Sequence, residues 1–339
     1  MGKKAMSDVH PFVSIIIPNW NRKDMLRACL KSLTNLTYPN YEIIVVDEAS
    51  TDGSPEMVKI EFPDVKIITR GKNRRRLGFA GACNVGIKSA KGEMIALFNN
   101  DAVADPSWLT ELVKTISFSS DIGTVGGVIL HWEPNQIIWS AGEKIDLITG
   151  ESWRVAYGKR MDELGNVGDV DYICGCAPLI RREVIKKIGL LDEDYFMYRE
   201  DVDWNLRAKR AGYKCKVSPS SIVWHKVPLN RNTSLAAYSH YSKGVFRLCF
   251  EHFPSKYLFT ALFFQSIIVP IFEILWFKRS VSFVAVRLRG FFENLLELRE
   301  IIVRRRKNEL FGKLTLKSRT KECLAIAKEA GASGRRPLG

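Results

Sequence analysis

The chain has no C-x-x-C pair. Its seven cysteines, at 29, 83, 174, 176, 215, 249 and 323, match no zinc-ribbon spacing, and its five histidines are scattered through 339 residues. That excludes a cysteine-rich metal domain or a disulfide-stapled scaffold and predicts a reduced, cytoplasmic setting. The N-terminus, MGKKAMSDVHPF, lacks the apolar core of a signal peptide, so none is expected. There is no internal repeat and no low-complexity tract. There is also no G-x-G-x-x-G after the first strand-like run. The glycines of GFAGACNVG, at 78, 81 and 86, have another spacing and follow the third run, which argues against a nicotinamide enzyme.

What is present is a globular composition, 46% hydrophobic and 26% charged, with length for one large domain and an appendage. Positive charge is unevenly placed. From Asn230 onward there are 20 Lys and Arg against 8 Asp and Glu, so +12 of the net +14 falls there and +2 in the rest. A nearly neutral front with a basic, aromatic-rich end suits an anionic surface met by one side of the molecule, and no nucleic-acid partner is expected.

The first 130 residues alternate. FVSIIIP, YEIIVVD, VKIITR and EMIALF read as strands, RKDMLRACLKSL, SPEMVKIEF, GFAGACNVGIKSAKG and PSWLTELVKTI as helices, and IGTVGGVIL as a fifth apolar run. Strands apolar throughout and separated by helices predict an α/β fold, a mixed, mostly parallel sheet with helices on both faces. Ligands of such sheets sit outside the carboxyl ends of the strands. Polar residues gather at those ends: Pro18-Asn19-Trp20-Asn21, Asp47-Glu48 and Asn99-Asn100-Asp101. Helix capping accounts for Asp52 and Ser107, but not for three clusters along one edge. From 131 to 180, Gly- and Trp-punctuated runs predict an antiparallel extension.

Five segments follow in order: VSIIIPNWNR, YEIIVVDEASTDGS, GFAGACNVGIKSAKGE, LFNNDAVADPSWL and YREDVDWNLRAKRAGYK. With them, Phe12 to Lys226 resembles the family-2 inverting glycosyltransferases of GT-A fold, particularly the rhamnosyltransferase-like branch. The resemblance implies a nucleotide-diphospho-sugar donor and a divalent cation, Mn²⁺ or Mg²⁺. It implies that Asp47 accepts a hydrogen bond from the base, with Pro18, Asn19 and Asn21 lining the base and ribose slot. Glu48 stands where the family commonly has Asn, and so does Arg76, the last of three arginines that suit phosphate and equally suit a solvated turn. Gly78, Asn84, Asn99 and Asn100 complete the implied donor set. Asp101 ends the D-x-D-like element and would ligate the cation, and His225 sits where some relatives place a further metal ligand. A hard cation shares substrate phosphates as ligands, so one protein carboxylate suffices.

The resemblance makes Asp201 the general base for the acceptor hydroxyl, with Glu200 as neighbour or alternative. Acidic residues at a helix N-terminus are favourable against the dipole whatever else they do, so spacing alone does not assign them. Asp203 faces Arg207 at i,i+4 and reads as structural. Trp204 packs either under an acceptor or in the core. Cys174-Gly175-Cys176 takes the place of the family's small-residue turn.

Two regions are expected, a catalytic domain over 11–228 and a basic, helical region over 229–339. Within the second, residues 257–277 are long enough to cross a bilayer but carry Gln265, Pro270 and Glu273. A single span would also place the catalytic part opposite the cytosol, where nucleotide sugars are. In the next segment Val281, Val284, Leu288, Phe291 and Phe292 share one side, with Arg287, Arg289, Glu293 and Glu297 on others. That reads as amphipathic helices on an anionic membrane interface, peripheral on the inner face of the cell membrane, with a glycan or lipid-linked acceptor. The alternative cover for these helices is the catalytic domain or a second copy, a homo-oligomer. Two other functions stand as alternatives: a non-catalytic sugar-nucleotide binder of the same fold, and a nucleic-acid binder using the basic tail.

Overall fold

The computed structural model describes residues 10–71, 76–134, 136–226, 234–275 and 280–306; the expected junction at 228 and the chain beyond 306 lie outside them. Strand β1 (Val13–Asn19) is followed by α1 (Lys23–Leu33), β2 (Tyr41–Asp47), α2 (Ser54–Glu61), β3 (Lys66–Thr69), α3 (Gly78–Ser89) and β4 (Met94–Leu97). Then come β5 (Ala102–Ala104), α4 (Trp108–Ser117), β6 (Ile122–His131), β7 (Ile138–Ser140), β8 (Glu143–Ile145), β9 (Ser152–Arg154), β10 (Leu179–Arg181), α5 (Arg182–Ile188), α6 (Glu200–Arg210) and β11 (Lys214–His225). The C-terminal part holds α7 (Leu235–His252), α8 (Ser255–Phe263), a π-helical turn at Phe264–Ile268, α9 (Val269–Leu275) and α10 (Val281–Leu296).

The main sheet runs β3-β2-β1-β4-β10-β6-β11-β5, with β7 on β6. The strands β1 to β4 are parallel, and β10 enters antiparallel between β4 and β6, so β6 and β11 regain the direction of β1. This is the mixed, mostly parallel sheet predicted, and β7 and the β8–β9 hairpin form the antiparallel extension. The central strands β1, β2 and β4 are largely apolar because both of their faces are covered. Ile15, Ile17, Val45 and Ala96 face α1 and α4, whereas Ile16, Ile44, Val46 and Ile95 face α3, α5 and α6. Each such Ile or Val contributes about 1.5–3 kcal/mol by leaving water. The glycines of α3 serve that packing: a Cβ at Gly86 would lie 2.3 Å from Ile16 Cγ2.

The C-terminal helices differ from expectation in which side they turn inward. Arg287, read as part of an outward charged side of α10, is 2% exposed. Its Nε donates to the Gln265 carbonyl (2.7 Å), Nη1 donates to the Tyr238 hydroxyl (2.9 Å), and Nη2 reaches Gln265 Oε1. Tyr238 donates to Glu273 (2.6 Å), and Gln265 Nε2 donates to the Thr149 carbonyl (2.9 Å) and Glu151 (2.7 Å). A buried guanidinium must have its N–H groups met, and the polar groups of the neighbouring helices meet them. The polar residues that make 257–277 a poor span therefore point into the protein.

Candidate active site

Parallel pairing of β1 with β2 sets Asn19 opposite Asp47 at the carboxyl edge of the sheet. Asn19 Nδ2 donates to Asp47 Oδ1 (2.9 Å), and its Oδ1 accepts from Asn100 Nδ2 (2.8 Å). One amide thus ties the ends of β1, β2 and β4 together. Asn21, at φ +49°, accepts from the Thr51 amide (2.7 Å) and fixes the turn after β1. Pro18 is half-buried at the end of β1.

Two expected donor contacts are placed differently. Asp47 is fully buried, and its oxygens already accept from Asn19, the Ser50 hydroxyl (2.6 Å) and the Ser50 amide (2.9 Å). It orders Asn19 and the following loop and presents no open face to a base. Asn84, 1% exposed, is spent on the loop before α6: Nδ2 donates to the Leu191 carbonyl and Glu193 (both 2.9 Å), and Oδ1 accepts from the Leu191 amide (3.1 Å). Glu48 accepts from the Leu77 amide (2.6 Å), with Arg70 at 3.4 Å and Arg76 at 3.5 Å. The Arg76 guanidinium lies 3.6 Å from the centre of the half-exposed Trp20 ring, so these departures from the family pattern form one group just past the ends of β1 and β2. Arg74 and Arg75 lie outside the described residues. Gly78 has φ +70°, and a Cβ there would sit 2.3 Å from the Phe196 carbonyl oxygen, so only glycine opens α3 against that loop.

Asp101 and His225, 124 residues apart in the chain, meet at 3.0 Å between Oδ1 and Nε2. The pairing of His225 with Ala102 across β11 and β5 brings them together, and the Lys226 amide donates to the Asp101 carbonyl (2.8 Å). Burial would raise the Asp101 pKa, but the hydrogen bond and charge of His225, then Arg22, outweigh it and hold the carboxyl below its ordinary value. The Asn99 amide donates to the Cys176 carbonyl (2.8 Å), which links this strand end to the Cys174-Gly175-Cys176 turn.

The other side of that turn holds Asp201. Asp201 Oδ2 accepts from the Gly175 amide (2.9 Å) and Oδ1 from the Val202 amide (2.8 Å). Burial raises its pKa, while those amides and Arg199 oppose, and the net shift is upward. Glu200 is more deeply buried, its Oε2 has no partner, and burial followed by the Asp201 charge pushes it well above the carboxylate range. Asp201 is therefore the carboxylate that ionises more readily. Trp204 is a core residue, its Nε1 donating to the Gly189 carbonyl (3.0 Å), and Asp203 pairs with Arg207 at 2.7 Å as read from spacing.

The approach to Asp201 has a strained backbone: Phe196, Tyr198 and Arg199 have φ of 60°, 69° and 74°. The C-terminal helix α7 supports it. The ring of His240 stacks on Phe196 at 4.6 Å, Arg199 donates to the Tyr241 hydroxyl (2.6 Å), and Gly244 leaves room for the Tyr198 carbonyl.

One carboxylate had no signal in the sequence. Glu143 Oε2 accepts from the Cys174 amide (3.0 Å) and Oε1 from the Ser140 hydroxyl (2.6 Å), so Glu143 and Asp201 grip consecutive amides of one turn. It borders a cavity of about 10 Å³, room for one water, with Gly126, Gly127 and Ile173. Burial first, and then the Asp201 charge, push its pKa up to about 7 against the Ser140 bond. A carboxyl raised on folding adds stability below its unfolded pKa and loses it as pH rises through the folded value. Glu143→Gln keeps an acceptor for Cys174, so it should flatten the loss of stability between pH 5 and 8 by about 3 kcal/mol. Denaturant titrations across that range check this; an unchanged slope would show that Glu143 does not titrate there.

A second acidic group, Asp203, Glu251 and His252, brings three candidate ligand atoms within 4.8 Å of one another. Arg207 and His252 hold Asp203, and Arg247 holds Glu251 at 3.1 Å. Two guanidinium groups already balance the two carboxylates, so this is a buried knot between α6 and α7, poorly suited to a cation.

The glycosyl transferase family 2 model matches residues 14–189. Glycosyltransferase AglE of Haloferax volcanii is 29% identical over 225 residues, 65% of this chain and 68% of that protein. An N-acetylglucosaminyl-diphospho-decaprenol L-rhamnosyltransferase of Mycobacterium tuberculosis is 28% identical over 245 residues, 65% and 76%. Among solved structures, the mannosyltransferase PcManGT from Pyrobaculum calidifontis, in complex with GDP-Man and Mn²⁺, has a TM-score of 0.55 at 18% identity, covering 91% of this chain and 87% of that one. GalNAc-T7 with UDP, GalNAc and Mn²⁺ has a TM-score of 0.59 at 19% identity, covering 87% and 58%. At those identities the structural likeness is one of fold, and the fold is GT-A-like. With its family match running from β1 to the end of α5, the chain belongs to glycosyl transferase family 2 and is a nucleotide-sugar-dependent glycosyltransferase.

Proposed function

We propose that the protein is a metal-dependent inverting glycosyltransferase that moves a sugar from a UDP-, GDP- or dTDP-linked donor to a hydroxyl of a lipid-linked or cell-surface glycan at the cytosolic membrane face. The observation that carries this reading is the meeting of Asp101 with His225 at the strand edge, one small-residue turn away from Asp201. The named substrates of the relatives support it, since one takes a polyprenyl diphosphate-linked acceptor. So does the presence of Mn²⁺ together with GDP-Man in one structural neighbour and with UDP in the other.

A cation fits the residues present. A carboxylate and an imidazole lie together, and His225 Nδ1 is buried without a protein partner. Asp101 and His225 would hold Mn²⁺ or Mg²⁺, and the ion would offset charge on the departing diphosphate. Asn99 and Asn100 would line the ribose side, with the buried Asn19 holding Asn100 in place, and Arg76 with Trp20 would border the donor slot. Asp47 acts through Asn19. The acceptor oxygen bonds to the anomeric carbon as the bond to the diphosphate breaks, and the hydroxyl proton passes to Asp201. One displacement inverts the anomeric centre. The basic C-terminal helices meet the anionic membrane that carries the acceptor.

Calorimetric titration with UDP, GDP and dTDP, with and without Mn²⁺, tests this reading. One nucleotide should bind with Mn²⁺, and Asp101→Ala should weaken it about tenfold or more. Folded protein that binds none of the three would overturn the reading.

A further inference from the structure

Helix 255–275 is long enough to cross a membrane, yet its two faces differ sharply. Gln265 and Glu273 are buried, tied to Thr149, Glu151, Tyr238 and, through Gln265, to Arg287. The opposite face shows Phe259 (78% exposed), Phe263, Ile267, Ile271, Phe272 and Leu275 (63%) to solvent. Residues four apart recur on one side of a helix, and the π turn ahead of Pro270, which offers no N–H, lies within this stripe. α10 repeats the pattern, with Arg287 and Asn294 buried and Val281, Phe292 and Leu296 outward (74%, 59% and 88% exposed). The helical chain from 298 to 306 continues it with Ile302 and Val303.

We infer that these two outward apolar stripes enter one leaflet of an anionic membrane and that the helix at 255–275 lies along that leaflet without crossing it. This rests on the membrane-facing part of the reading above, not on its chemistry. Crossing would carry Gln265 and Glu273 into hydrocarbon and break bonds that fasten the helix to the β8–β9 hairpin and α7; lying flat keeps every one of them. Large apolar side chains left exposed in rows along two packed helices mark an interaction surface, where scattered single ones would not. Charge selects the occupant. Lys256, Arg299 and Arg306 are exposed on the same helical stretches, and the chain from Asn230 carries +12, which favours anionic headgroups and disfavours a second, equally basic copy.

The test is flotation of the full-length protein with vesicles of phosphatidylglycerol and phosphatidylethanolamine, against phosphatidylcholine alone. Sedimentation velocity without lipid and alkaline carbonate extraction of cell membranes accompany it. Binding to the anionic vesicles, release by carbonate, and a loss of about tenfold in Phe263→Glu and again in Ile271→Glu are expected. Both sites are exposed, so the fold should survive, and circular dichroism confirms it. Resistance to carbonate would overturn the inference in favour of a span. A dimer that the same variants dissolve, with no vesicle binding, would overturn it in favour of a second copy. Nucleotide binding by the same samples reports separately on the enzymatic reading, so failure of one is not failure of the other.

Discussion

Asp201→Asn is expected to lower turnover by about 10²–10⁴ while leaving nucleotide affinity within about twofold. The asparagine keeps an acceptor for the Gly175 amide, so the turn should hold its shape, but it cannot take a proton from the acceptor hydroxyl. Glu200→Gln should cost much less, because Glu200 is buried, lacks a partner at Oε2 and is held towards its neutral form. The wild-type acid limb should lie above the ordinary carboxylate value of about 4, since Asp201 is shifted upward and works only when ionised. Initial rates against pH, with each variant assayed at saturating donor, decide it. If Glu200→Gln loses the greater share, the two carboxylates exchange roles. If neither variant changes turnover, a non-catalytic sugar-nucleotide binder is the better description.

Arg247→Ala should destabilise the protein by about 3–5 kcal/mol, the usual cost of removing one partner from a buried ionic group, and lower the melting temperature on the order of 10 °C. Arg247 is 1% exposed and bonds three carboxylates: Glu251 (3.1 Å), Asp194 (3.0 Å) and Glu297 (3.1 Å). It joins α7 to the chain just past α10 and to the loop that leads into Glu200 and Asp201. Glu251, pushed up to about 7 by burial and then by Asp203, would take up a proton in the variant and soften the loss near neutral pH. Calorimetric melting at pH 6 and 8 checks both the size and that trend. A loss under about 1 kcal/mol would mean that the helical region docks independently of this arginine. Because α7 also braces Phe196 and Arg199, the variant should lose turnover at temperatures where it remains folded.

These expectations bear on the division at 228. The sequence separates a catalytic domain from a helical tail by composition and charge. In the structure the tail's first helix touches the loop that leads into Glu200 and Asp201 through His240, Tyr241, Gly244 and Arg247, so the two regions meet beside one candidate site. Composition reports what a segment is made of, not what it leans on.

The alternation of strands and helices, the two-sided cover of the sheet and the polar clusters at the strand ends were legible because period and burial are local properties. A residue's face follows from its place in a period of two or 3.6. The family resemblance added Asp101, His225 and Asp201; the first two meet where β5 pairs with β11, and Asp201 lies in the first turn of α6, bonded to the Gly175 amide. What sequence could not convey was how side chains share partners across the fold. Asp47 and Asn84 have the right residue types at the right spacing, yet their polar atoms are taken up by Ser50 and Leu191. Arg287 and Glu273 read as a charged helix side and a flawed membrane span until Tyr238 and Gln265 bring them into one network. Glu143 gave no sign in a glycine-punctuated stretch, because its importance lies wholly in the amide beside Gly175.

By itself, then, the sequence determined the elements, their order and the chemistry available at one edge of the sheet. Tertiary structure decided which of those groups meet. A pair such as Asp101 and His225, separated by 124 residues, is joined only by strand order, and hydrogen-bond energy is realised between atoms a few ångströms apart wherever the chain places them.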